Sequence, residues 1–99
     1  MIVIVEHTVE DYEAWKRGFD EHRSVQDKHG MTDHRLYRSS DDPNTVTLLC
    51  RFPSREAAEG FLNDPSLAEA MQHAGVLGAP RITTWEEVEA LDHAARAAT

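Results

Sequence analysis

One change of period near residue 9 limits what this chain can fold into. Ile2 to His7 (IVIVEH) is a short β-branched, apolar run bounded by polar residues, the pattern of a largely buried central strand. Beyond it Tyr12, Trp15, Phe19, His22 and Gln26 recur at spacings of three and four. At 100° per residue they fall within a stripe about 80° wide, one buried helix face. Thr8-Val9-Glu10-Asp11 sets a hydroxyl three residues ahead of a carboxylate, a variant of the capping pattern. One helix is therefore expected from near Val9 to Gly30, where a glycine suits a left-handed cap. The remaining positions, including Glu13, Lys16, Arg17, Asp20, Glu21, Arg23, Asp27 and Lys28, form a solvated face, with Glu13 and Arg17 at i, i+4.

The rest of the chain completes an order. Met31 to Arg38 reads as a second strand. Ser39-Ser40-Asp41-Asp42-Pro43-Asn44 is dense in turn formers, and Val46, Leu48, Cys50 and Phe52 then alternate with Thr47 and Arg51 in a strand over Thr45 to Phe52. Pro53 stops this hairpin and Ser54 caps a helix carrying Ala57, Ala58, Phe61 and Leu62. Asp64-Pro65 interrupts it, and Pro65 at a first turn starts a short helix to about Ala74, burying Leu67, Ala70, Met71 and Ala74. Gly75 and Gly78 close that section, and Arg81 to Trp85 is the last strand. Glu86 to Ala98 is its continuation or an Ala-rich helix, with residues 90–99 a loosely docked tail. The order β-α-β-β-α-β is the split βαβ, an α+β ferredoxin-like arrangement with a four-stranded antiparallel sheet and its helices on one face. The other face, with side chains such as Leu49, needs a cover, and a second copy pairing sheet to sheet supplies one.

With 99 residues the chain suits one domain spanning 1–99. A formal charge of -8 repels phosphate backbones and anionic surfaces, which argues against nucleic acid and membrane partners. No segment approaches the roughly 20 apolar residues of a spanning helix, and the N-terminal run is too short for a signal sequence. The single cysteine, Cys50, rules out an internal disulfide framework, so a cytoplasmic location is expected.

Four segments carry a family resemblance: Tyr12 to Arg23 (YEAWKRGFDEHR), Gly30 to Arg38 (GMTDHRLYR), Asp42 to Val46 (DPNTV) and Phe52 to Ala58 (FPSREAA). Over residues 1 to 89 the chain resembles the dimeric α/β-barrel superfamily, specifically antibiotic biosynthesis monooxygenase and small polyketide-cyclase-like proteins. That resemblance implies a homodimer and a pocket between helices and sheet for a flat phenolic or polyketide-type substrate. It implies proton abstraction by a cofactor-independent monooxygenase, an oxidoreductase, or by a cyclase. Haem degradation and non-catalytic ligand binding or stress response occur on the same fold and stand as alternatives.

Three histidines are the candidate catalytic residues. His22 shares the buried stripe, where an imidazole needs partners: it is a general base or substrate hydrogen-bonder, or a core histidine bonded to a backbone carbonyl or to Gln26. His34 lies mid-strand, and pairing it with Cys50 puts it on the apolar face whereas pairing it with Leu49 does not. If both reach one pocket, two imidazoles facing a phenol or β-ketone can take a proton and stabilise the enolate. His73 sits at the edge of its helix stripe, where a histidine is ordinarily solvated. The resemblance keeps it open as a haem ligand, although the asparagine and tryptophan that haem-degrading relatives pair with it are here Glu6-His7 and Phe52. His7, His29 and His93 read as peripheral. No HxH or HExxH spacing supports a metal, and no phosphate loop or dinucleotide fingerprint is present, so no cofactor is expected. Tyr12, Trp15, Phe19, Cys50, Phe52, Phe61, Met71 and Trp85 are the expected core and pocket wall, with Cys50 a small hydrophobe and not a nucleophile. Arg35, Tyr37 and Arg51 hydrogen-bond a substrate oxygen or form cross-strand pairs.

Overall fold

The computed structural model describes residues 1–94, and the chain follows the order β1 (Ile2–Val9), α1 (Tyr12–Glu21), α2 (Arg23–Lys28), β2 (Asp33–Arg38), β3 (Thr45–Arg51), α3 (Arg55–Leu62), α4 (Pro65–His73), β4 (Val76–Trp85). The four strands form one antiparallel sheet in the order β2-β3-β1-β4. This is the α+β ferredoxin-like arrangement that the period pattern predicts.

The two faces of the sheet separate along β1. Val3, Val5, His7 and Val9 alternate inward and are buried, while Glu6 and Thr8 are exposed. On β3, Val46, Leu48 and Cys50 do the same. The core joins Val3, Val5, Leu48, Cys50 and Phe52 to Ala58 and Phe61 of α3, and a neighbouring cluster joins Val9 and Val46 to Trp15 of α1. His34 pairs with Cys50, so the register puts it on this helix-covered side. The outward face carries half-buried Ile4 and Leu49 and exposed Tyr37, Leu77 and Trp85.

Several local expectations are corrected. The helix expected over Val9 to Gly30 is two helices meeting at His22, whose φ of -85° and ψ of 9° break the helical run. The strand continues through Val9, so Thr8 caps nothing; Asp11 makes no side-chain cap, and Asn44 Oδ1 instead accepts from the Tyr12 amide at 3.2 Å. The i, i+4 ion pair on α1 is Lys16–Asp20, at 2.6 Å, not Glu13–Arg17. Gly30 does end α2, with φ 79°, and the Met31 amide reaches back to the Gln26 carbonyl at 3.1 Å, as a Schellman cap requires. Ser54 caps α3 through the Ala57 amide at 3.1 Å.

The largest correction is β4. It begins at Val76 and includes Gly78, which closes no section but sits, at φ 69°, inside an irregularity. Glu6 pairs with Arg81 and Thr8 with Leu77, so two positions on β1 span four on β4, and His7 stands opposite the bulge. Pro80, unable to donate to a ladder, lies in that bulge. Residues 86–92 are neither strand nor helix, and the part of the tail over 95–99 lies outside the described residues.

Candidate functional site

Between α1, α4 and the sheet lies a cavity of about 50 Å³. Val5, His7 and Leu48 form its floor; Trp15, Gly18, Phe19, His22 and Gln26 form one wall; Phe61, Leu67, Ala70, Met71 and Ala74 form the other. Gly18 lets α1 approach α4 closely, since a Cβ there would stand 3.3 Å from that of Ala74.

The wall is almost wholly apolar, which makes its polar members stand out. His7 is 93% buried in the sense that only 7% of its surface is exposed, and neither Nδ1 nor Nε2 has a hydrogen-bond partner among the described residues. Leaving a polar group buried and unpaired costs roughly 1–3 kcal/mol, so such a residue calls for an explanation. Burial also pushes the imidazole pKa down, which keeps the ring neutral, with one N–H to donate and one lone pair to accept. Its ring packs 5.3 Å from that of Trp15, at 58°. Trp15 is itself stacked on Phe19 at 5.2 Å. Its place at the end of an apolar run points to the periphery, yet it is the most deeply buried polar group lining the cavity except for Gln26.

His22 does reach the cavity, from the junction of α1 and α2, half-buried and with Nε2 3.3 Å from Ser66 Oγ. Its partner is thus Ser66 on α4 and not Gln26. His34 does not line the cavity: its ring stands T-shaped against that of Phe19, which does line it, with centroids 5.1 Å apart. His73 also lies outside; its side chain is 80% exposed and 4.0 Å from Glu69 Oε1. The imidazoles on this cavity are therefore His7 and His22, while His22 and His73 share an open surface pocket between α1 and α4.

Of the expected pocket wall, Trp15, Phe19, Phe61 and Met71 are in place. Tyr12 lies beyond Trp15 with the Arg38 guanidinium 3.9 Å over its ring. Cys50 and Phe52 are buried in the core beside the cavity, and burial pushes the Cys50 thiol up to about 12, which makes it an inert hydrophobe. Trp85 is on the outward face, half-exposed, its indole N–H bonded to Thr83 Oγ1 at 2.8 Å. Arg51 serves Glu87 at 2.7 Å and its cross-strand partner Asp33 at 3.5 Å. Among the described residues no three His, Cys, Asp or Glu side chains cluster as a metal site would, and no helix is long and apolar enough to cross a membrane.

The architecture has solved counterparts. The chain is similar to a candidate antibiotic biosynthesis monooxygenase from Bordetella bronchiseptica, with a TM-score of 0.73 at 16% identity over 89% of this chain and 96% of that one. It is similar to another from Caulobacter crescentus CB15, with a TM-score of 0.72 at 18% identity over 89% of each chain. It is also similar to SnoaB, a cofactor-independent oxygenase from Streptomyces nogalater, with a TM-score of 0.68 at 15% identity over 88% and 93% of the two chains. No protein-family model matches the chain, and no curated protein matches it. The chain has the ferredoxin-like fold of the antibiotic-biosynthesis-monooxygenase structures, and at this identity the likeness shows the fold alone.

Proposed function

We propose that this protein is a small-molecule enzyme that takes a proton from a flat oxygenated substrate, phenolic or polyketide-type, as a cofactor-independent monooxygenase or a cyclase. The observation that carries the reading is His7: a buried imidazole with neither nitrogen hydrogen-bonded among the described residues, on the floor of an apolar cavity. A substrate hydroxyl entering the cavity supplies the missing hydrogen bond, and the lone-pair nitrogen of His7 accepts its proton. The apolar wall withholds water from the resulting anion. In the oxygenase version the substrate anion is the reductant and dioxygen the oxidant, one oxygen entering the product and the other leaving as water. In the cyclase version the anion closes on a carbonyl of the same molecule. The likeness in fold to SnoaB, described as a cofactor-independent oxygenase, supports the first.

At about 50 Å³ the cavity is far smaller than the ~300 Å³ at which ligand pockets begin, so α1 and α4 must part to admit more than the edge of a ring. The second reading is a binding domain without turnover, in which the nitrogens of His7, unpaired among the described residues, hold a ligand hydroxyl and no proton is taken. His73 is exposed and lies outside this cavity, on an open surface pocket between α1 and α4 that it shares with His22, so the haem alternative would be a site separate from the one proposed here. The assembly we propose is a homodimer joined through the outward sheet face, supported by Ile4, Leu49, Leu77 and Trp85 on it, in the cytoplasm.

The test is oxygen uptake and product mass on a panel of phenols, quinols and anthrones. Turnover by the intact chain that falls at least about 100-fold in His7→Leu is expected, since a general base contributes 10²–10⁴-fold. Saturable binding with no turnover selects the binding domain, and turnover unaffected by His7→Leu refutes the mechanism.

A further inference from the structure

A hydrogen-bonded chain leads outward from the cavity wall. His22 Nε2 is 3.3 Å from Ser66 Oγ, Ser66 Oγ is 2.7 Å from Asp64 Oδ1, and Asp64 Oδ2 is 2.7 Å from His29 Nε2. Three elements meet here: the α1–α2 junction, the first turn of α4 and the end of α2. The Ser66 amide also donates to Asp64 Oδ1 at 2.9 Å, and Lys28 Nζ stands 4.0 Å from Oδ2.

The direction of each bond follows from the partners. The bonds from His29, from the Ser66 hydroxyl and from the Ser66 amide hold the Asp64 carboxyl well below the usual carboxylate range, so it is ionised and can only accept. Ser66 has one hydroxyl proton, and that proton is committed to Oδ1. Its oxygen therefore accepts from His22, which must carry its proton on Nε2. In the neutral ring Nδ1 is then the lone-pair nitrogen, by the rule that the bond made at one nitrogen sets the other.

We propose that Ser66 and Asp64 are positioning residues: they fix His22 as its Nε2–H tautomer, leave Nδ1 as proton acceptor, and make His22 a second proton-handling group beside His7. When Nδ1 takes a proton, the imidazolium charge is answered through the Ser66 hydroxyl by the Asp64 carboxylate, and His29 holds that carboxylate from its far side. The logic is that of an orienting carboxylate behind a catalytic histidine, with a hydroxyl interposed. The proposal rests on the cavity being a site of proton transfer, and its structural half can be read without any substrate.

The experiment is a long-range proton–nitrogen correlation spectrum of the histidine-labelled protein, for the unaltered chain, Ser66→Ala and Ser66→Thr. Ser66→Ala keeps the backbone cap to Asp64, and Ser66→Thr keeps the hydroxyl as well. The unaltered chain should show a His22 ring proton on Nε2, slow to exchange; Ser66→Ala should lose that protected signal and Ser66→Thr should retain it. A proton on Nδ1, or a signal indifferent to Ser66→Ala, overturns the positioning. On any substrate the panel yields, kcat should fall about tenfold in Ser66→Ala with KM unchanged and recover in Ser66→Thr, less than the ~10⁴ lost when a directly bonded orienting residue goes. Unchanged kcat in Ser66→Ala overturns the catalytic half. If no panel member reacts, the proton-transfer reading of the cavity fails and the ring signal still decides the tautomer.

Discussion

Replacing His7 with Leu should make the protein more stable while removing its ligand. Among the described residues the imidazole finds neither of the two hydrogen bonds it would have in water, and mutational series put an unpaired buried polar group at roughly 1–3 kcal/mol. Against that, Leu loses the ring contact with Trp15, worth about 0.5–1.5 kcal/mol for an aromatic pair. Leu is close to His in size and fits the apolar surroundings of Val5, Trp15 and Leu48. The net expectation is a gain of about 1 kcal/mol, which for a domain of this size raises Tm by about 4–8 °C. The pH dependence gives a second handle. His7 titrates below its ordinary value of 6.5 when folded, so the unfolded chain binds the proton more readily. Its contribution is fully present above 6.5 and is lost as pH falls through the lower folded value. The stability gap between His7→Leu and the unaltered chain should therefore widen as pH drops below 6.5. Guanidinium unfolding at several pH values, with the slope m unchanged, measures both. A variant less stable by about 1 kcal/mol or more would show that the imidazole is paired in the fold, and a gap that stays constant with pH would show that burial does not lower its proton affinity; either contradicts this account.

Other outcomes follow from the same geometry. Phe61→Ala removes a ring that is 3% exposed and packs on Phe52 at 5.4 Å, so unfolding should show a loss of about 3–5 kcal/mol. Ser54→Ala removes the hydroxyl that caps α3 and should cost about 1 kcal/mol in the same assay. Leu49→Arg places a charge on the outward sheet face while leaving the helix-covered core untouched, so sedimentation should show the proposed dimer dissociating with the circular dichroism spectrum unchanged; a dimer that survives means that another surface joins the copies.

The element order was legible because it is written in periodicity: β-branched alternation, a stripe at three and four, turn formers between residues 39 and 44, and Pro65 at a first turn. What escaped was written across the chain. His7 looked peripheral because it closed an apolar run, yet the period of two that buries Val3 and Val5 also buries position 7, and that alternation was the available signal. The bulge opposite it depends on how β4 pairs with β1, which Gly78 and Pro80 hint at without fixing. His34 could not be assigned a face until the register with Cys50 was known, and a face alone did not bring it into the cavity, where Phe19, its ring neighbour, lines the wall. Asp64 announced a helix break, but its bond to His29 joins residues 35 apart in the chain and has no local signature. The same holds for His22 and Ser66, 44 apart.

If His7 receives the hydroxyl of a small oxygenated ligand inside the cavity, calorimetric titration of the intact chain and of His7→Leu with a set of simple phenols will show it. Saturable binding to the unaltered protein, weakened at least tenfold in a variant that is itself more stable, is the predicted result. Equal binding by both, or binding by neither, would contradict it.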